Sequence, residues 1–172
     1  MRKYLLPLLF ILFFILESLF VQTLPAEVFN SERILAPRFL MIVILFMTLY
    51  GHRDQGLIYG LVFGLLFDVV YTEIIGIYLF MFPLIAYIAS KLMRILQSNI
   101  VVVSVISILS IVLLELGVYE MNYLINVTNM DFSLFLNQRL FPTIVLNVAF
   151  IIIFAYPLKR IFEKYAASLR ED

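Results

Sequence analysis

Six apolar stretches follow one another along the chain, separated by short polar connections. A helix needs about 20 mostly apolar residues to cross the hydrocarbon core of a bilayer, and most of the stretches approach that length. The predicted spans are residues 4–21, 34–50, 56–71, 76–92, 100–118 and 140–158. The pattern therefore predicts an all-α integral membrane protein in which six transmembrane helices form a compact bundle. We expect this single membrane domain to occupy residues 1–172.

Basic residues in the connections predict how the bundle is oriented. If both termini are cytoplasmic, the inner side carries Arg2, Lys3, Arg53, Lys91, Arg94, Lys159, Arg160, Lys164 and Arg170. The outer side then carries only Arg33, Arg38 and Arg139. Inner loops of membrane proteins are enriched in Lys and Arg, so this distribution favours cytoplasmic termini.

The third span contains small residues at regular steps of four. Gly56, Gly60 and Gly64 are followed at the next step by Asp68. Residues four apart lie on one face of a helix, and glycines there allow another helix to approach closely. That helix could belong to the same chain, to a second copy or to another protein. We expect span three to be central to the bundle, and we interpret the glycines as a helix-packing or partner groove.

Five charged residues lie inside or at the edges of the predicted spans, in the outer half of the membrane. They are Glu17, Arg38, Asp68, Glu115 and Arg139. Charges buried in a membrane are normally paired or line a water-filled cavity. The sequence therefore predicts an outer-layer charge network, in which an arginine pairs with Asp68. Three alternatives remain open: a network that only fixes helix packing, a site for a ligand, ion or partner, and scattered side chains that reach solvent.

Composition excludes several kinds of function. The chain is 64% hydrophobic and 14% charged, with a mean hydropathy of +1.07 and no net charge. It therefore offers no basic face for nucleic acid. It has no cysteine, and its one histidine, His52, lies on the predicted inner side, away from the acids. We expect no metal, no cofactor and no enzymatic activity, because no nucleophile, base or metal-ligand set is evident.

Short motifs in a fixed order resemble the rod shape-determining MreD family of Gram-positive bacteria, over essentially the whole chain. The motifs include Glu17-Ser18, residues 35–40, residues 58–64, Asp68, Gly76-Ile77-Tyr78, Ala89-Ser90-Lys91 and residues 139–143. Each motif is weakly specific, whereas their order and spacing together are much more specific.

The resemblance implies a multi-pass protein of the bacterial plasma membrane that acts as a non-enzymatic scaffold and regulator of cell-wall elongation. Implied partners are the membrane helix of MreC, the synthase RodA with a class B penicillin-binding protein, the lipid bilayer and, indirectly, MreB filaments. We expect MreC to dock on the glycine stripe. The family's fold is similar to the substrate-binding subunits of energy-coupling-factor transporters. A small-molecule-binding transporter subunit is therefore the alternative function.

Overall fold

The computed structural model describes residues 2–23, 33–72, 74–96 and 99–171. Its helices are α1 (Arg2–Thr23), α2 (Phe39–Tyr50), α3 (Arg53–Tyr71), α4 (Ile77–Met93), α5 (Ile100–Leu124), α6 (Phe132–Leu134) and α7 (Phe141–Glu171). A π-helical stretch, Phe135–Leu140, joins α6 to α7, so these three elements form one continuous helix. The described residues outside these helices are short connections, and the predicted all-α class is confirmed.

The helices differ in their ability to cross a membrane. Within the described ranges, four are long and apolar enough: Leu5–Thr23, Arg53–Tyr71, Ile100–Leu124 and Phe132–Leu169. α2 and α4 are apolar but have only 12 and 17 residues. At about 1.5 Å per residue, α2 is roughly 18 Å long, well short of a hydrocarbon core of about 30 Å. Its first turn therefore lies inside the protein.

α2 is the central helix of the bundle. Every residue of α2 except Leu49 is buried, and α1, α3, α4, α5 and α7 all pack against it. α3, in contrast, exposes one apolar face, so the expectation that span three is central is wrong. The reason lies in composition: α2 is apolar on all sides, and such a helix is buried all round.

Two helices begin at different places from those predicted. Span two was expected from residue 34, but residues 33–38 are non-helical and α2 starts at Phe39. Span six was expected from residue 140 with Pro142 in its first turn, but the continuous helix already starts at Phe132. Pro142 has no N–H to give to the carbonyl of Gln138, four residues earlier. That carbonyl accepts instead from the N–H of Ile34, at 2.7 Å.

Candidate functional site

Two polar residues of α7 support the non-helical segment 33–38, which leads into α2. The N–H of Ala36 donates to Thr143 Oγ1 at 3.1 Å, and the N–H of Arg38 donates to Asn147 Oδ1 at 2.9 Å. Asn147 Nδ2 donates back to the carbonyl of Ala36. These contacts satisfy backbone groups of a buried or partly buried segment. Sequence reasoning used Thr143 only as part of a family motif and missed Asn147, although a Thr and an Asn four apart in an apolar span were a usable signal.

Glu17 of α1 lies at the first turn of α2. Its Oε2 accepts a hydrogen bond from the N–H of Leu40 at 3.0 Å, and the side chain is only 2% exposed. The first N–H groups of a helix have no acceptor within the helix, and its N-terminus carries a partial positive charge. Arg38, the N-cap residue of α2, makes no side-chain cap of its own. Glu17 supplies that cap from another helix.

Asp68 of α3 performs the same task for α4. Its carboxylate accepts from the N–H groups of Gly76, Tyr78 and Leu79, each at 2.9 Å, and the side chain is fully buried. Gly76, the N-cap residue, has a φ of 127°, a conformation that residues with a Cβ rarely adopt. The prediction that an arginine pairs with Asp68 is wrong, because helix N–H groups occupy both of its oxygens.

Glu115 of α5 is the acid that pairs with arginines. Its Oε1 accepts from Arg38 Nε at 2.5 Å, and its Oε2 accepts from Arg139 Nε at 2.9 Å. Glu115 is completely buried, Arg38 is 4% exposed and Arg139 is 29% exposed. Arg38 Nη2 also donates to the hydroxyl of Tyr78 at 2.8 Å. One carboxylate thus joins the start of α2, the π-helical stretch and the middle of α5.

The three buried acids have similar positions and similar structural roles. Glu17, Asp68 and Glu115 each lie in the second half of a helix; Glu17 and Asp68 accept from N–H groups at the start of the next helix, and Glu115 binds arginines just before α2 and α7. We call the end of the bundle where α1, α3 and α5 finish, and where these five charges gather, the cluster end. The arrangement holds helix starts in place, which the short helices require because their first N–H groups are buried.

The glycine stripe of α3 packs against the same chain. Gly56 lies against Thr48 of α2, and Gly60 lies against Pro83 of α4. A Cβ atom on Gly64 would collide with the α4 backbone. The stripe is therefore occupied by α2 and α4, and the expected docking of a partner helix finds no free surface there.

A cavity of about 170 Å³ adjoins the cluster between α1, α3 and the segment before α2. Its lining includes Glu17, Arg38, Tyr71 and Tyr78. Metal binding has no comparable support, because no group of three or more His, Asp or Glu side chains in the described ranges is placed to hold an ion. His52 lies at the opposite end of the bundle, just before α3.

The fold and the cluster define a multi-pass all-α membrane protein whose buried charges fix the ends of its helices. The family model described as "rod shape-determining protein MreD" matches residues 1–165. Rod shape-determining protein MreD of Bacillus subtilis (strain 168) is 37% identical over 172 residues, covering 100% of both chains. Cell shape-determining protein MreD of Streptococcus pneumoniae (strain R6) is 31% identical over 153 residues, covering 89% of this chain and 90% of the relative.

The chain belongs to the MreD family. The resemblance seen in the sequence is thereby confirmed, and with it a role in determining cell shape and a location in the membrane. No solved structure matches the chain. The alternative of a transporter subunit has no support, since the family and both relatives are named for shape determination.

Proposed function

We propose that the chain is a non-enzymatic scaffold of the cell-wall elongation machinery. In this proposal it docks the membrane helix of MreC and connects MreB filaments, on the cytoplasmic side, to RodA and a class B penicillin-binding protein. The observation that carries the proposal is the use made of the buried charges. Both carboxylate oxygens of Asp68 and of Glu115 are occupied by N–H groups at a helix start or by arginines, so these two acids stabilise the bundle and neither is free to react.

A partner helix needs a surface other than the glycine stripe. α3 exposes a row of branched apolar side chains, and α1, α5 and α7 do the same on their outer faces. Representative positions are Leu8, Leu65, Leu109 and Ile152, which are between 40% and 76% exposed. The membrane helix of MreC should bind to one of these four faces, because helices in lipid associate by close packing against one another.

The test places a photo-crosslinking residue at each of the four representative positions in cells that make MreC. We expect crosslinks to MreC from one face and none from the others. The matched control is the same residue at Ile95, which is 85% exposed in the connection after α4. Crosslinking of equal strength from all four faces, or from none, would contradict the docking proposal.

The wider role is tested by depletion of the protein in a rod-shaped host. We expect rods to become round as the protein is lost, and re-expression of the intact chain to restore them. A nutrient requirement without a change of shape would contradict the scaffold and favour a transporter subunit.

A further inference from the structure

The cavity at the cluster end runs from the helix ends into the bundle. Its lining includes Glu17, Val21, Arg38, Phe67, Tyr71 and Tyr78. Val21 and Tyr71 lie within the last turns of α1 and α3, whereas Glu17 lies one turn deeper on α1. Four helical residues span about 6 Å. The acid is therefore one turn below Val21 and about 9 Å below the end of α1 at Thr23.

Glu17 is the least compensated of the three buried acids. Glu115 is bonded to two arginines, and Asp68 accepts from three helix N–H groups. Among the described residues, Glu17 accepts only from the N–H of Leu40. An ionised carboxylate can accept about four hydrogen bonds, and its second oxygen has none here. With three acids and two arginines in the cluster, this cavity favours a positively charged hydrogen-bond donor.

Tyr71 adds an independent sign that the cavity takes a polar ligand. Its hydroxyl is buried and has no hydrogen-bond partner in the described part of the chain. Buried hydroxyls are normally paired, so an unpaired one in a cavity wall indicates a missing partner. The ring of Tyr71 also lines the cavity, and aromatic faces attract cations, whereas the rings of Phe67 and Tyr78 already face the Arg38 guanidinium.

We propose that the cavity binds the primary ammonium of an aminophospholipid headgroup such as phosphatidylethanolamine. The ammonium N–H groups donate to Glu17 and to the hydroxyl of Tyr71, while the phosphate remains outside the mouth. The acyl chains lie along apolar side chains at the mouth, where the lining residue Val21 is 52% exposed and Val70, next to the lining residue Tyr71, is 55% exposed. These flanking surfaces are the reason to assign a lipid rather than a free amine.

The experiment compares phosphatidylethanolamine with phosphatidylcholine as additives in thermal unfolding of the detergent-solubilised full-length protein. The two headgroups have the same net charge, but the choline nitrogen has no N–H to donate. We expect phosphatidylethanolamine to raise the melting temperature at about tenfold lower concentration, the factor expected for one charge-assisted hydrogen bond. Equal effects of the two lipids would overturn the proposal. An equal effect of free ethanolamine would overturn its assignment to a lipid.

Two variants test the residues themselves. Glu17→Gln keeps an oxygen for the N–H of Leu40 but removes the charge, and we expect it to lose the preference for phosphatidylethanolamine. Tyr71→Phe removes only the unpaired hydroxyl and should weaken the same preference. It provides the test if Glu17→Gln fails to accumulate. The control is Tyr156→Phe, because Tyr156 is 64% exposed on α7 and should keep the full preference. An unchanged preference in Tyr71→Phe would overturn the proposal.

Discussion

The two ends of the bundle use charged residues in different ways. At the cluster end, Glu115 and Arg38 are almost completely buried and are bonded to specific partners. At the opposite end, Lys159 Nζ lies 3.7 Å from Oε1 of Glu163, whose side chain is 51% exposed. The Lys159 ammonium also lies over the ring of Tyr50. The same residue types therefore determine structure at one end, whereas at the other they are partly in solvent and are suited to orienting the protein in the membrane.

Removing a charged side chain should cost more free energy of unfolding at the cluster end than at the opposite end. A buried ion pair that loses one partner leaves an uncompensated charge, whereas a solvated pair leaves little behind. The two ends should respond very differently to substitutions that look alike in the sequence. In order of decreasing effect, three charge substitutions test this difference, and a pair of glycine substitutions tests the packing of α3 on α4.

Glu115→Ala should have the largest effect. It leaves Arg38 and Arg139 without their shared acid, and we expect a loss of about 3–5 kcal/mol in the free energy of unfolding. Thermal unfolding in detergent and the amount of protein in the membrane measure it. Adding Arg38→Leu should restore part of the stability; a double variant as unstable as the single one would contradict a buried ion pair.

Asp68→Ala should destabilise by about 2–3 kcal/mol, because it leaves the N–H groups of Gly76, Tyr78 and Leu79, at the N-cap and first turn of α4, without their acceptor. The loss is smaller than for Glu115 since no buried charge remains unpaired. The same unfolding assay applies. Removing Arg38 in addition should not restore stability, and a clear rescue would show that an arginine compensates Asp68 after all.

The glycines of α3 should respond according to their neighbours. We expect Gly64→Ala to destabilise by about 1–3 kcal/mol, because a Cβ there collides with the backbone of α4. At Gly60 a Cβ would lie 3.4 Å from Pro83 N, an ordinary contact, so Gly60→Ala should change stability by less than about 1 kcal/mol. Equal losses for the two variants would contradict the packing described.

Lys159→Ala at the opposite end should have the smallest effect, within about 0.5 kcal/mol in the unfolding assay. Its pair with Glu163 is long and partly exposed to solvent. A loss comparable to that of Glu115→Ala would remove the distinction between the two ends.

The hydrophobic pattern predicted the class of fold because each apolar stretch in lipid must satisfy its own backbone, and a helix does so. It also selected Glu17, Asp68 and Glu115 as unusual. It could not predict their partners, because the acceptor for α4 lies on another helix and the start of α2 depends on α7. The π-helical stretch that carries Arg139 has no hydropathy signature either.

The contacts between the segment before α2 and α7 have a consequence for biosynthesis. α2 is the innermost helix, yet the backbone at its entry is held by Thr143 and Asn147, which the ribosome makes about a hundred residues later. Chains are synthesised from the N-terminus at roughly 5–20 residues per second. The segment before α2 therefore lacks these hydrogen-bond partners for several seconds, until α7 has been synthesised. In a chain that ends before α7, the backbone at the entry to α2 has no such partners.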